Sequence, residues 1–159
     1  MNREIETILN ALDGTPRLLK ESITEIDSTI YKEKIVKGKW SIHEHATHIA
    51  VRYIYGFQTR LNDFRQEEMP TFEPLSGDNF DEYFFMKLDL ENAINDFFKI
   101  RQKTIELAKE FNSNDWNKLA IHTEYKTYSP YIMLRYLLMH DHNHLYKIED
   151  MGIGNDIIK

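Results

Sequence analysis

Six of the seven histidines in this chain fall in two short clusters, His43, His45 and His48 and then His140, His142 and His144. Imidazole suits both transition-metal binding and proton transfer near neutral pH, so the spacing inside each cluster decides what chemistry is open. His140 and His144 are four residues apart. On a helix turning about 100° per residue they stand about 40° apart, project from one face and can grip one ion together. His142 lies about 200° round from His140 and is expected to face solvent or the opposite surface. The face of His140 and His144 also carries Met133, Leu137 and Ile148, which makes it the inward one. A buried pair of this kind reads either as half of a metal site or as two core histidines satisfied by hydrogen bonds. In the first cluster His45 and His48 are three apart, and either can face the interior alongside Ile42, Ile49 and Tyr55. Periodicity does not choose between them.

The composition narrows the chemistry. With no cysteine, disulfides, iron–sulfur clusters, thiolate zinc sites and a nucleophilic thiol are excluded, and any metal must be held by imidazole or carboxylate. The net charge of −6 comes from 20 Lys plus Arg against 26 Asp plus Glu, and these are interspersed along the chain. The absence of a basic stripe argues against a nucleic-acid partner. The start, Met1-Asn2-Arg3-Glu4, lacks the basic-then-apolar order of a secretory signal, and no apolar stretch approaches the roughly 18 residues of a membrane span. A soluble, cytoplasmic protein is the expectation. A chain of 159 residues with 42% hydrophobic residues fits one domain, residues 1–159, with a core that needs no crosslink.

The elements that must position the histidines read as helices. Ile5, Ile8, Leu9 and Leu12 form one apolar face, and Asp13-Gly14 is expected to end or bend that helix. Thr15-Pro16 then resembles an N-cap followed by proline at the first helical position, with Leu18, Leu19, Ile23 and Ile26 continuing a stripe, so that the two pieces can form one interrupted first helix. Tyr31 to Lys39 suits a loop. Ser41-Ile42-His43-Glu44 reads as a capping box, serine and glutamate satisfying each other's backbone donors, and opens a second helix to about Arg65. Gln66 to Gly77, with Pro70 and Pro74, reads as a connection without regular structure, after which Asp78 can cap the next helix. Asn79 to Phe111 contains no Pro or Gly and predicts a third, long helix. Asn112 to Tyr128, with Trp116 and the stretch from Thr123 to Thr127, reads as a loop with at most short structure and a candidate pocket rim. Ser129-Pro130 repeats the cap signature, opening a last helix to about Met151, with Gly152 and Gly154 as stops. The whole is all-α, a four-helix bundle.

Lys39-Trp40-Ser41-Ile42, Glu44 and then His48-Ile49 resemble the Trp-Ser-x-x-Glu-x-x-x-His opening of the second helix in the DinB/YfiT-like metalloenzyme family. His140-Asp141 with His144 resembles that family's His-Asp-x-x-His pattern, although Lys147 stands where glutamine usually precedes Ile148. Arg101 and Asp115-Trp116 also look like family features, so the resemblance spans most of the chain.

The resemblance implies an antiparallel, DinB-like four-helix bundle in which His48, His140 and His144 are the metal ligands and His45 a neighbour. Three imidazoles leave coordination positions open, as in catalytic sites, and zinc or nickel suits nitrogen ligands. Some relatives transfer a low-molecular-weight thiol, which implies a thiol S-transferase with a small-molecule thiol as cosubstrate. A metal-dependent hydrolase and a non-catalytic metal-binding or interaction protein are the other readings. The family often pairs through bundle helices, which implies a homodimer. Asp141 and Glu44 are candidates to orient an imidazole, with capping the simpler role for Glu44. Arg52 shares a face with His48 and can meet an anionic substrate or a surface carboxylate. Tyr53, Tyr55, Phe57, Phe84, Phe85 and Trp116 read as core aromatics able to line a pocket.

Overall fold

The computed structural model describes residues 3–52, 56–74 and 83–157, with backbone alone for residue 52 and residues 153–157. Four helical limbs carry the fold. They are α1 (Arg3–Glu25); α2 (Ile42–Arg52) with α3 (Phe57–Gln66); α5 (Leu90–Lys109), preceded by the single turn α4 (Phe84–Lys87); and α7 (Pro130–Ile157). A short α6 (Ser113–Asn117) lies before α7. Both α1 and α2 pack against α5 and α7, so α1 and α2 occupy opposite corners of the bundle. Leu9, Leu12 and Leu19 from α1, Ile42 and Ile49 from α2, Phe97 from α5 and Leu137 and Ile148 from α7 are buried at its centre. Among the described residues, no helix is long and apolar enough to cross a membrane.

Helix α1 runs unbroken through Gly14 and Pro16, where the sequence predicts an end or a bend. Proline has no N–H for the carbonyl one turn back, here that of Leu12. The Thr15 hydroxyl lies 2.9 Å from that oxygen and 2.9 Å from Asp141 Oδ2, so its single proton is shared between the two acceptors. Thr15 is therefore an interior residue, not an N-cap. Continuity across Pro16 also turns Leu18 outward, leaving it 44% exposed while Leu19 is buried.

The capping box at the start of α2 is present in both directions. Glu44 accepts from the Ser41 N–H at 2.7 Å, and Ser41 Oγ accepts from the Glu44 N–H at 3.2 Å. The helix predicted to reach Arg65 is divided, with α3 beginning after a turn at Gly56. The predicted long third helix is divided as well. Leu88 is extended, and Asp89 caps α5 by accepting from the Asn92 N–H at 2.8 Å. Asp78, Tyr53 and Tyr55 lie outside the described residues, as do the first residues of the predicted third helix and the side chain of Arg52.

The connections hold two short strands that the sequence does not announce. β1 (Thr71–Phe72) pairs in parallel with β2 (Ile121–His122). Arg60 of α3 ties this corner down, donating to the Tyr128 hydroxyl at 2.9 Å with its guanidinium over the Phe72 ring.

At the far end α7 continues through Gly152, where the sequence predicts a stop. A Cβ there would stand 2.6 Å from Ile26 side-chain carbons. This glycine serves the close approach of α1 and α7.

Candidate metal centre

Ser129 opens α7 by accepting from the Ile132 N–H at 3.3 Å, and about three turns on the helix delivers His140 and His144 to the face it turns toward α2. The ring centroids of the two histidines are 4.6 Å apart. His48 comes from the middle of α2, its ring centroid 4.6 Å from that of His144 and 5.2 Å from that of His140. The structure thus brings His48, His140 and His144 together, with one nitrogen from each within 4.8 Å of the others. His48 and His144 are buried and His140 half-buried. His142 is exposed on the other side of α7, as helical geometry requires. His43 lies apart from the cluster, its Nε2 3.0 Å from the Leu88 carbonyl.

The donor set fits a divalent transition ion. The Nε2 atoms of His48 and His140 are 3.1 Å apart, close to the roughly 3.4 Å separating two nitrogens on one tetrahedral zinc. Neutral imidazole is the ligating form, and burial drives the pKa of His144 far below its ordinary value, helped by the neighbouring His140, His48 and His45 rings. No carboxylate shares the cluster among the described residues, so the donors are nitrogen alone, which suits borderline-soft ions over calcium or magnesium.

His45 packs beside the three, its Nδ1 2.7 Å from Nδ1 of His144. It is 6% exposed, and burial pushes its pKa down to about 4. Trp40, just ahead of the capping box, covers the cluster with ring centroids 4.7 Å from His48, 5.4 Å from His45 and 5.9 Å from His144. Phe85 meets His48 edge-on at 5.0 Å and Trp40 at 5.4 Å. These contacts fix the imidazole planes and keep water off their faces. A cavity of about 620 Å³ reaches the site from this side, with His45, His144, Trp40, Lys39 and Lys147 on its walls.

The two carboxylates nearest in sequence to the histidines are committed elsewhere. Glu44 is fully engaged by the Ser41 N–H and by Lys34 Nζ at 3.1 Å, so it caps α2. Asp141 is 0% exposed, and its Oδ2 accepts from Arg101 Nη2 at 2.5 Å and from the Thr15 hydroxyl at 2.9 Å. Its Oδ1 stays 3.9 Å from His140 Nδ1, beyond hydrogen-bond range. The expectation that Asp141 orients an imidazole gives way to a buried ion pair joining α1, α5 and α7. Trp116 packs on Phe111, with ring centroids 5.1 Å apart, and Phe57 is core; neither lines the histidine cavity. His45 is the neighbour the resemblance implies, while the cover Trp40 gives the cluster is what the sequence left unread. The aromatic one residue before a capping serine was the available signal.

Comparison with known proteins bears on the family and the fold. A sequence model of the DinB superfamily matches residues 11–148. The fold is similar to that of YfiT from Bacillus subtilis, a probable metal-dependent hydrolase with an unusual four-helix bundle topology. The TM-score is 0.78 and the identity 16%, over 97% of this chain and 90% of that one. No curated protein matches the chain in sequence. With the match running from α1 through the second histidine cluster, the chain belongs to the DinB superfamily.

Proposed function

We propose that His48, His140 and His144 hold one divalent transition ion, zinc or nickel, and that the protein is a metal-dependent enzyme of the thiol S-transferase type, acting with a small-molecule thiol on an electrophile. The observation that carries this reading is the convergence of three imidazole nitrogens within 4.8 Å, with no carboxylate in the group among the described residues, next to a cavity that reaches His144. A closed structural site uses four protein ligands, whereas a catalytic one keeps a position for a reactant. An ion so held lowers the pKa of a thiol or a water that joins it and polarises a carbonyl. The chain's own residues then orient and shield. Trp40 and Phe85 hold the rings, and the cavity, at about 620 Å³, has room for an organic cosubstrate.

The likeness to YfiT favours a second reading, metal-dependent hydrolysis at the same centre. The two separate in one experiment. Zinc- and nickel-loaded protein is incubated with small thiols and a general electrophile such as 1-chloro-2,4-dinitrobenzene, and in parallel with ester and amide substrates. The transferase reading predicts conjugation that requires metal and disappears in His144→Ala. Turnover confined to esters or amides supports the hydrolase instead, and no metal-dependent turnover in either panel makes the protein a non-catalytic metal binder.

A further inference from the structure

We infer that the cavity beside His144 is a binding site for a small anion on an apolar body, with the anion held by the Nε2–H of His45. The inference rests on the proposed role of His144 as a metal ligand. Nδ1 of His144 is 2.7 Å from His45, so Nε2 is the His144 nitrogen left for an ion, and a ring ligating through Nε2 carries its proton on Nδ1. That proton can only be donated to Nδ1 of His45, which must then be an acceptor. A neutral imidazole accepting at Nδ1 carries its own proton at Nε2. Metal ligation by His144 thus dictates that His45 presents a donor at its far nitrogen.

That nitrogen opens to the cavity. His45 lines it, and Nε2 makes no hydrogen bond to the described residues, nor is it among the buried polar atoms left without a partner. The occupant must therefore offer an acceptor. The charges around the cavity specify its sign, because Lys39 and Lys147 line it against the carboxylate of Asp150. Trp40, Val36 and Met151 supply apolar wall for the rest of the molecule. A carboxylate attached to an aromatic or aliphatic body meets all of these requirements. His45 is on this account a positioning residue for the metal ligand and a direct contact to the anion.

The test uses benzoate as probe and two variants of His45. Asparagine places an acceptor oxygen near the position of Nδ1 but cannot reach the position of Nε2, whereas alanine supplies neither. By chelator competition, His45→Ala should weaken zinc binding about 10- to 100-fold, the usual cost of losing a hydrogen-bond partner of a ligating histidine, while His45→Asn stays near wild type. By equilibrium dialysis against zinc-loaded protein, benzoate should bind the wild type, and both His45 variants and Lys147→Gln should bind it more weakly. Benzamide, neutral and of the same shape, should bind poorly throughout. Recovery of zinc affinity in His45→Asn shows that loss in His45→Ala is not misfolding. Equal zinc affinity in wild type and His45→Ala overturns the link to His144, and equal benzoate binding in wild type and His45→Asn overturns the anion site. Failure of the wild-type chain to bind zinc at all overturns the metal reading and this inference with it.

Discussion

Arg101 and Asp141 are 1% and 0% exposed, and charges so far from water must be paired, as these are at 2.5 Å. Removing one partner of such a pair costs about 3–5 kcal/mol, whereas replacing both by apolar residues costs far less. Asp141→Asn should therefore lower stability by about 3 kcal/mol in urea unfolding, and Arg101→Met with Asp141→Leu should recover much of the loss. Zinc stoichiometry should survive in both. A variant that keeps its stability but loses zinc would instead make Asp141 a partner of His140. The same residues show what the sequence could reveal. His140 and His144 were legible, and His142 separable from them, because Met133, Leu137 and Ile148, all buried, mark the face of α7 that positions 140 and 144 share and position 142 does not. His45 and His48 were not separable, because residues 41–50 are buried on every side, so both positions are interior and spacing alone cannot rank them. The partner of Asp141 lies 40 residues away, where local spacing carries no information.

Helix ends divide in the same way. The capping box was legible because both of its members are local, and it makes a prediction about pH. Burial works to raise the Glu44 carboxyl, but hydrogen bonds from Ser41 and Lys34 outweigh it and hold the pKa below its ordinary value. A carboxyl lowered in the folded state stabilises above its unfolded pKa of about 4.3, and the benefit fades as pH falls through the folded value. Glu44→Gln should thus cost about 1 kcal/mol at neutral pH, with the difference from wild type closing as pH drops below about 4. A difference constant across that range would contradict the capping charge. Glycine and proline misled where tertiary structure overrode them. Thr15 shares its proton with the carbonyl that Pro16 leaves without a donor, and Gly152 is there to admit Ile26. Alanine at position 152 offers about 1 kcal/mol of helix propensity, yet Gly152→Ala alone should bring no gain, while in an Ile26→Ala background it should stabilise by about that amount. A gain in the wild-type background would show that Ile26 moves aside freely. The strands β1 and β2, two residues each, are too short for alternation to register.

At the scale of the whole molecule, the all-α bundle was readable from four amphipathic stretches, while its pairing was not. The diagonal placement of α1 and α2 arises from which faces meet, and it has a functional consequence. α2 and α7 become neighbours, so a ligand at the centre of one helix meets two from the other. One ion would then tie the two helices together and stabilise the fold by linkage. The sharpest check is the metal content of purified chain after loading with zinc or nickel and desalting. About one ion per chain is expected in the wild type and in His142→Ala, and essentially none in His48→Ala, His140→Ala or His144→Ala. A wild-type chain that emerges metal-free, or an equal loss in His142→Ala, would show that these three histidines do not form a metal site.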